Sequence, residues 1–184
     1  MKKGAKVLLG LGVFGGAIAG IVALAKRAAA APGDALTITL YDQYGNIIKT
    51  NSRAMSLGAA PVTATEGDVI SIGLGATNTS YQMLGGVQTP VAASLTVRIA
   101  ASAGGITLIP STQRVFSFGA GASLAIDKSS WSVLQFTLPI GAGGFTGTVS
   151  AQLLDPALNI LASGQVSFAI ARAPIVYGGT IVFA

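Results

Sequence analysis

The chain has 184 residues with no cysteine and no histidine, 11 basic against 6 acidic side chains, and 9% charged beside 51% hydrophobic residues. The two missing residue types exclude disulfides, Ser-His-Asp and Cys-His catalysis, and the commonest metal ligand. The charged fraction lies far below the roughly 25% of ordinary soluble domains, which points to a chain that is tethered or packed against neighbours.

The excess charge sits at one end. Lys2, Lys3, Lys6, Lys26 and Arg27 account for all of it, and the other six basic residues are balanced by six acids that all follow Arg27. A nucleic-acid surface needs basic residues spread over the folded part, so no nucleic-acid partner is expected. Between the two basic flanks, residues 7–25 carry no charge. As a helix this run spans ~28 Å, close to the thickness of a bilayer's hydrocarbon core. Residues 1–27 therefore read as a basic flank and a single N-terminal transmembrane α-helix. Gly12, Gly16 and Gly20 recur at i, i+4 and i+8 on one helix face. These two overlapping G-x-x-x-G units suit helix association in a membrane, although small residues are also common in such helices for other reasons.

A cleaved signal peptide is the competing reading, because Ala28 to Ala31 before Pro32 offer small residues to a peptidase. The length of the apolar run and the charge of Lys26 and Arg27 just before that site favour an uncleaved anchor. Three lysines before the span against two basic residues after it place the amino terminus inside and the following domain in an extracytoplasmic position. The opening Lys2-Lys3-Gly4-Ala5 also resembles the leader of type IV pilin-like proteins. It departs from that pattern in Lys6 and in lacking a glutamate in the first turn of the helix.

Residues 28–34 form a linker, in which Pro32-Gly33 ends any helix. From residue 35 the apolar period changes to two. Leu36, Ile38 and Leu40 alternate with Thr37, Thr39 and Tyr41, as in a half-buried strand, and 42–46 supply a turn before 47–50 return. Ile70, Ile72, Leu74 and Ala76 alternate next, with Gly73 and Gly75 on the opposite face, where glycine marks a bulge or a close approach. Leu95, Val97 and Ile99 follow, then strands over 113–118, 133–138, 145–154 and 160–170, the last two joined by a turn at 155–159. No helical stripe appears after Arg27. The expected fold is all-β, an antiparallel sandwich over residues 35–174.

Glu66-Gly67-Asp68 leading into a strand, Phe118-Gly119-Ala120-Gly121 before another, and Gly141-Ala142-Gly143-Gly144-Phe145 before the penultimate one carry a resemblance over residues 61–171. The pattern is similar to the immunoglobulin-like cell-adhesion-related and invasin-like modules of bacterial and archaeal surface proteins. That resemblance implies an Ig-like β-sandwich serving adhesion, spacing or assembly. The chain departs from it in having no cysteine pair across the sheets, and pattern alone does not place Trp131 in the core.

The tail, 175–184, is uncharged and rich in β-formers: Ile175, Val176 and Tyr177, then Gly178-Gly179, then Ile181, Val182 and Phe183. It reads as a small hairpin completing its own sheet or as a strand donated to a neighbouring subunit. Asn78-Thr79-Ser80 matches the N-glycosylation pattern and is equally ordinary turn composition. Lys128 beside Ser129 and Ser130 reads as a solvated loop, and Glu66/Asp68 as turn capping in preference to a calcium site. No catalytic, cofactor-binding or metal-binding residues are expected, and no small-molecule substrate. The expected function is that of a non-enzymatic, membrane-anchored structural or adhesion protein at a cell surface or in a virion. Its partners would be the lipid membrane and further copies of itself or other structural subunits. The alternatives are a subunit of an extracellular filament, pilin-like or strand-donating, and a secreted glycan- or protein-binding module, for which Tyr81-Gln82-Met83 and Trp131 are the loop residues of interest.

Overall fold

A computed structural model of the chain describes residues 35–51 and 63–174. In chain order these form β1 (Leu36–Tyr41), β2 (Ile47–Thr50), β3 (Ala64–Thr65), β4 (Val69–Thr77), β5 (Tyr81–Leu84) and β6 (Val87–Pro90). Then come β7 (Ala93–Ala103), β8 (Ile106–Phe118), β9 (Ser123–Ile126), β10 (Gln135–Thr137), β11 (Thr146–Leu154) and β12 (Ile160–Ala171). One 3-10 turn, Ser132–Leu134, precedes β10. Among the described residues the fold is all-β.

Two five-stranded sheets form two layers. The first runs β10–β4–β1–β2, with β9 also on β4. β9 pairs with residues 74–77 of β4 and β10 with residues 69–71, so the two share one edge of β4 end to end. The second runs β3–β12–β11–β7–β8 and is antiparallel except for β3, which runs parallel to the end of β12. The alternating sequence explains the layering. Leu36, Ile38, Leu40, Ile70, Ile72 and Leu74 from the first sheet meet Leu95, Val97, Ile99, Val149, Leu153, Val166 and Phe168 from the second in one buried cluster. Each such side chain contributes about 1.5–3 kcal/mol by leaving water. Where the layers meet, Gly164 of β12 makes room for Asn51, whose Oδ1 accepts the Ile38 amide at 2.6 Å. A Cβ at Gly164 would stand 2.7 Å from Asn51 Nδ2.

Several expectations are corrected. Trp131 is a core residue, its indole edge-on to Phe116 at 5.9 Å between ring centroids, with the Arg114 guanidinium over the Phe116 ring. The strand expected over 133–138 is only β10, because the backbone first makes a 3-10 turn that directs Trp131 and Leu134 inward. No bulge accompanies Gly73 and Gly75, since β4 keeps register with β1 from Ser71 to Ala76. The close approach comes from side chains of β1. A Cβ at Gly73 would meet the Tyr41 ring at 3.0 Å, and one at Gly75 would meet Thr37 Oγ1 at 2.5 Å.

Two hairpins were hidden in Gly-Gly pairs. Gly85-Gly86 joins β5 to β6 and Gly104-Gly105 joins β7 to β8, all four with positive φ, as a two-residue turn matching strand twist requires. β8 is an edge strand, and its register slips twice around Pro110, between the pairs Ile99↔Thr112 and Ser102↔Thr107. A bulged edge with a proline is a poor template for another strand.

Two turns share one construction. In Asp42–Asn46 and Asp155–Asn159 the aspartate Oδ1 accepts the asparagine amide at 2.8 Å and Oδ2 accepts its Nδ2. The residue before the asparagine has positive φ in both: Gly45 at 87° and Leu158 at 66°. Leucine is ill suited to that region. Leu158→Gly is expected to raise the unfolding free energy by about 0.5–1 kcal/mol, because the left-handed region costs an L-residue about 1–2 kcal/mol and glycine's freer unfolded chain offsets part of the relief. Urea unfolding midpoints would show the gain, and Leu158→Ala, which keeps its Cβ, would lack it.

Candidate functional site

The outer face of the first sheet carries the small residues of β1 and β4. Tyr41, Thr39 and Thr37 stand opposite Ser71, Gly73 and Gly75. With two glycines in β4 the face sinks, and the Tyr41 ring lies across Gly73. The Asp42–Gly45 turn raises one wall, including Tyr44 at 80% exposure, while Ala125, Asp127 and Lys128 form the other. The result is an open groove of about 620 Å³. Its floor carries hydroxyls already engaged within the sheet: Thr39 Oγ1, largely buried, lies 3.0 Å from Thr50 Oγ1, and Thr37 Oγ1 donates to the Gly75 carbonyl at 3.4 Å. The arrangement suits a neutral, hydroxyl-bearing or planar ligand. Its two wall carboxylates, Asp42 and Asp127, are each hydrogen-bonded within their own turns.

The described carboxylates are each engaged by loop hydrogen bonds. Asp127 accepts the Ser129 amide at 2.9 Å and the Ser129 hydroxyl at 2.5 Å, and the Ser130 hydroxyl donates to the Asp127 carbonyl. Both serines next to Lys128 are thus turn formers. Asp68 Oδ2 accepts the Thr65 amide at 2.7 Å. Glu66 reaches furthest. Its Oε1 accepts the Gly143 and Gly141 amides at 2.6 and 2.9 Å, and its Oε2 accepts the Ala173 amide at 3.2 Å. It therefore ties the start of the first sheet's central strand to the 139–144 loop and to the segment leaving β12, a longer reach than local turn capping. Hydrogen bonds from Gly143, Ala173 and Gly141, with the Arg172 charge beside them, hold its carboxyl below the usual range. Hydrogen bonds likewise lower Asp42 and Asp155, chiefly through the Asn46 and Asn159 side chains, and Asp127, chiefly through the Ser129 hydroxyl. Among the described residues no three or more acidic residues gather as a metal site would need.

Asn78 is 2% exposed. Its Nδ2 donates to the Val91 and Gly119 carbonyls at 2.8 and 2.9 Å, and its Oδ1 accepts the Ser80 amide at 2.9 Å. In the folded domain the nitrogen a glycan would need is enclosed, and the residue pins the root of the β5–β6 hairpin. Gly12, Gly16 and Gly20 lie outside the described residues, as do Ile175, Val176, Tyr177, Ile181, Val182 and Phe183. Among the described residues no helix is long and apolar enough to cross a membrane. Sequence reasoning did not find the groove, although its signal was present in Gly73 and Gly75 facing away from Ile72 and Leu74.

No family model matches the sequence, and no curated protein matches it. Among solved structures the chain is similar to the β-glucuronidase of Bacteroides uniformis, at 13% identity and TM-score 0.44, over 72% of this chain and 13% of that one. A putative β-galactosidase from Bacteroides fragilis matches at 10% identity and TM-score 0.43, over 76% of this chain and 16% of that one. Spo0M, a sporulation control protein from Bacillus subtilis, matches at 12% identity and TM-score 0.37, over 74% of this chain and 49% of that one. The chain spans about half of the last and a small part of the other two. Likenesses this distant carry no argument about what the chain does.

The Glu66 network makes a pH prediction. A carboxyl held low in the folded state stabilises the fold above its ordinary titration range, about pH 4, and that contribution is lost as pH falls through the folded value. Glu66→Gln is therefore expected to unfold at lower urea than the parent near neutrality, with the two midpoints converging on acidification below that range. A gap between the midpoints that stays constant with pH would contradict the assignment.

Proposed function

We propose that this chain is a non-enzymatic structural or adhesion protein, anchored in a membrane by residues 7–25 and displaying an immunoglobulin-like β-sandwich outside a cell or virion bilayer. The fate of the charged groups is the observation that carries the reading. The excess positive charge flanks residues 7–25, and every described carboxylate of the folded part is bound into loop backbone. A domain so arranged has its acids in structural use and none in a position to shuttle protons. Lateral association through the Gly12, Gly16 and Gly20 face adds self-assembly to tethering. Full-length chain reconstituted in phosphatidylcholine vesicles is expected to float with them and to resist alkaline carbonate, and replacing the three glycines with leucine should dissolve detergent-resistant oligomers. Native material that begins beyond Arg27 and stays behind when the vesicles float would overturn the proposal.

The groove favours a second reading, a binding module for a neutral saccharide. An aromatic plate beside a hydroxyl-lined floor is the chemistry that packs against a sugar ring and hydrogen-bonds its edge. Under this reading Tyr41→Ala abolishes retention on a neutral glycan array while Phe145→Ala, outside the groove, leaves it unchanged. An array on which the parent chain binds nothing would remove the reading.

A further inference from the structure

The β5–β6 hairpin belongs to neither sheet. It connects β4 of one layer to β7 of the other and projects from the end of the domain. Its side chains are graded. Tyr81 and Pro90 form the root, Gln82 and Thr89 follow, and the tip carries Met83 opposite Gln88 and Leu84 opposite Val87 across Gly85-Gly86. Met83 is 59% exposed, Leu84 55% and Val87 46%. From residue 69 to residue 97 the sequence contains no charged side chain.

The position of the hairpin says what covers this tip. The Thr77 amide donates to the Ala35 carbonyl at 2.8 Å, so the chain arriving from the amino-terminal segment meets the domain beside the hairpin's root. Nine residues, 26–34, separate that point from the end of the apolar run. Fully extended they reach about 32 Å, while a four-residue hairpin projects about 13 Å. The linker is therefore long enough to let the tip meet the surface that receives residues 7–25. Among the described residues, the charge at this end of the second sheet is Asp155, which Asn159 holds in its own turn. Asp34 directly precedes Ala35 in sequence. Neither belongs to the hairpin. An uncharged hairpin end with Met83, Leu84 and Val87 exposed suits the headgroup–acyl boundary, where the apolar faces of membrane-surface segments bury by about 5–10 Å.

We propose that residues 83–87 dip into the interface of the same bilayer that holds residues 7–25, giving the domain a second contact and a fixed orientation on the membrane. The inference rests on the membrane-anchored reading above. Because the chain has no cysteine, single-cysteine variants can be labelled uniquely. Full-length Leu84→Cys and Tyr44→Cys, each carrying an environment-sensitive fluorophore, would be reconstituted in phosphatidylcholine vesicles with and without brominated acyl chains. Tyr44 is exposed in the Asp42–Asn46 turn at the other end of β1. The expected result is loss of emission for the Leu84 label in brominated vesicles and none for the Tyr44 label. Chain that floats with the vesicles while neither label is quenched overturns the proposal and leaves the anchor standing. Equal quenching of both labels also overturns it, and so does an unquenched Leu84 label together with oxidant-driven disulfide cross-linking of the unlabelled Leu84→Cys chain between copies, which assigns the tip to a second copy. Chain that fails to float overturns this inference and the anchored reading together.

Discussion

β4 is bonded along both edges, and the rest of the first layer is arranged by that fact. β1 pairs with it over six residues, while β9 and β10 divide the opposite edge. With both edges bonded, β4 has its two faces left for packing. It places Ile70, Ile72, Leu74 and Ala76 inward and Ser71, Gly73 and Gly75 outward. The inward set anchors the core. The outward set lets Tyr41 and Thr37 lie down over the sheet, which creates the groove.

Among the described residues, loops are held by carboxylates. Asp42 and Asp155 close similar turns, Asp127 closes a third, and Glu66 gathers amides from two distant segments. Asn78 does with a neutral amide what Glu66 does with a charge, joining β4, the hairpin and the 118–123 loop.

The strands legible in the sequence were those with one dry and one wet face. Leu36–Ile38–Leu40, Ile70–Ile72–Leu74 and Leu95–Val97–Ile99 alternate in sequence and do so in space. β5 and β6 were not legible, because both faces meet solvent and no alternation survives. The first half of β8 was hidden for the same reason, being an exposed edge interrupted by Pro110. The Gly-Gly pairs at 85–86 and 104–105 were a usable turn signal, of the kind read at 178–179. Glu66 could not have been assigned its partners by pattern, since Gly141, Gly143 and Ala173 stand far along the chain and only the closed fold brings their amides to one carboxylate. Trp131 escaped for a related reason: its burial depends on Phe116 of the opposite layer.

The junction at Ala35 has a mechanical meaning. A pull arriving from the amino-terminal side is taken up first by β1, which is hydrogen-bonded to β2 and to β4. Load directed along that strand strains its cross-strand bonds together, in shear, whereas an edge strand peeled sideways would yield them one at a time. The interior placement of the first strand thus makes the domain resist force applied at its amino-terminal end.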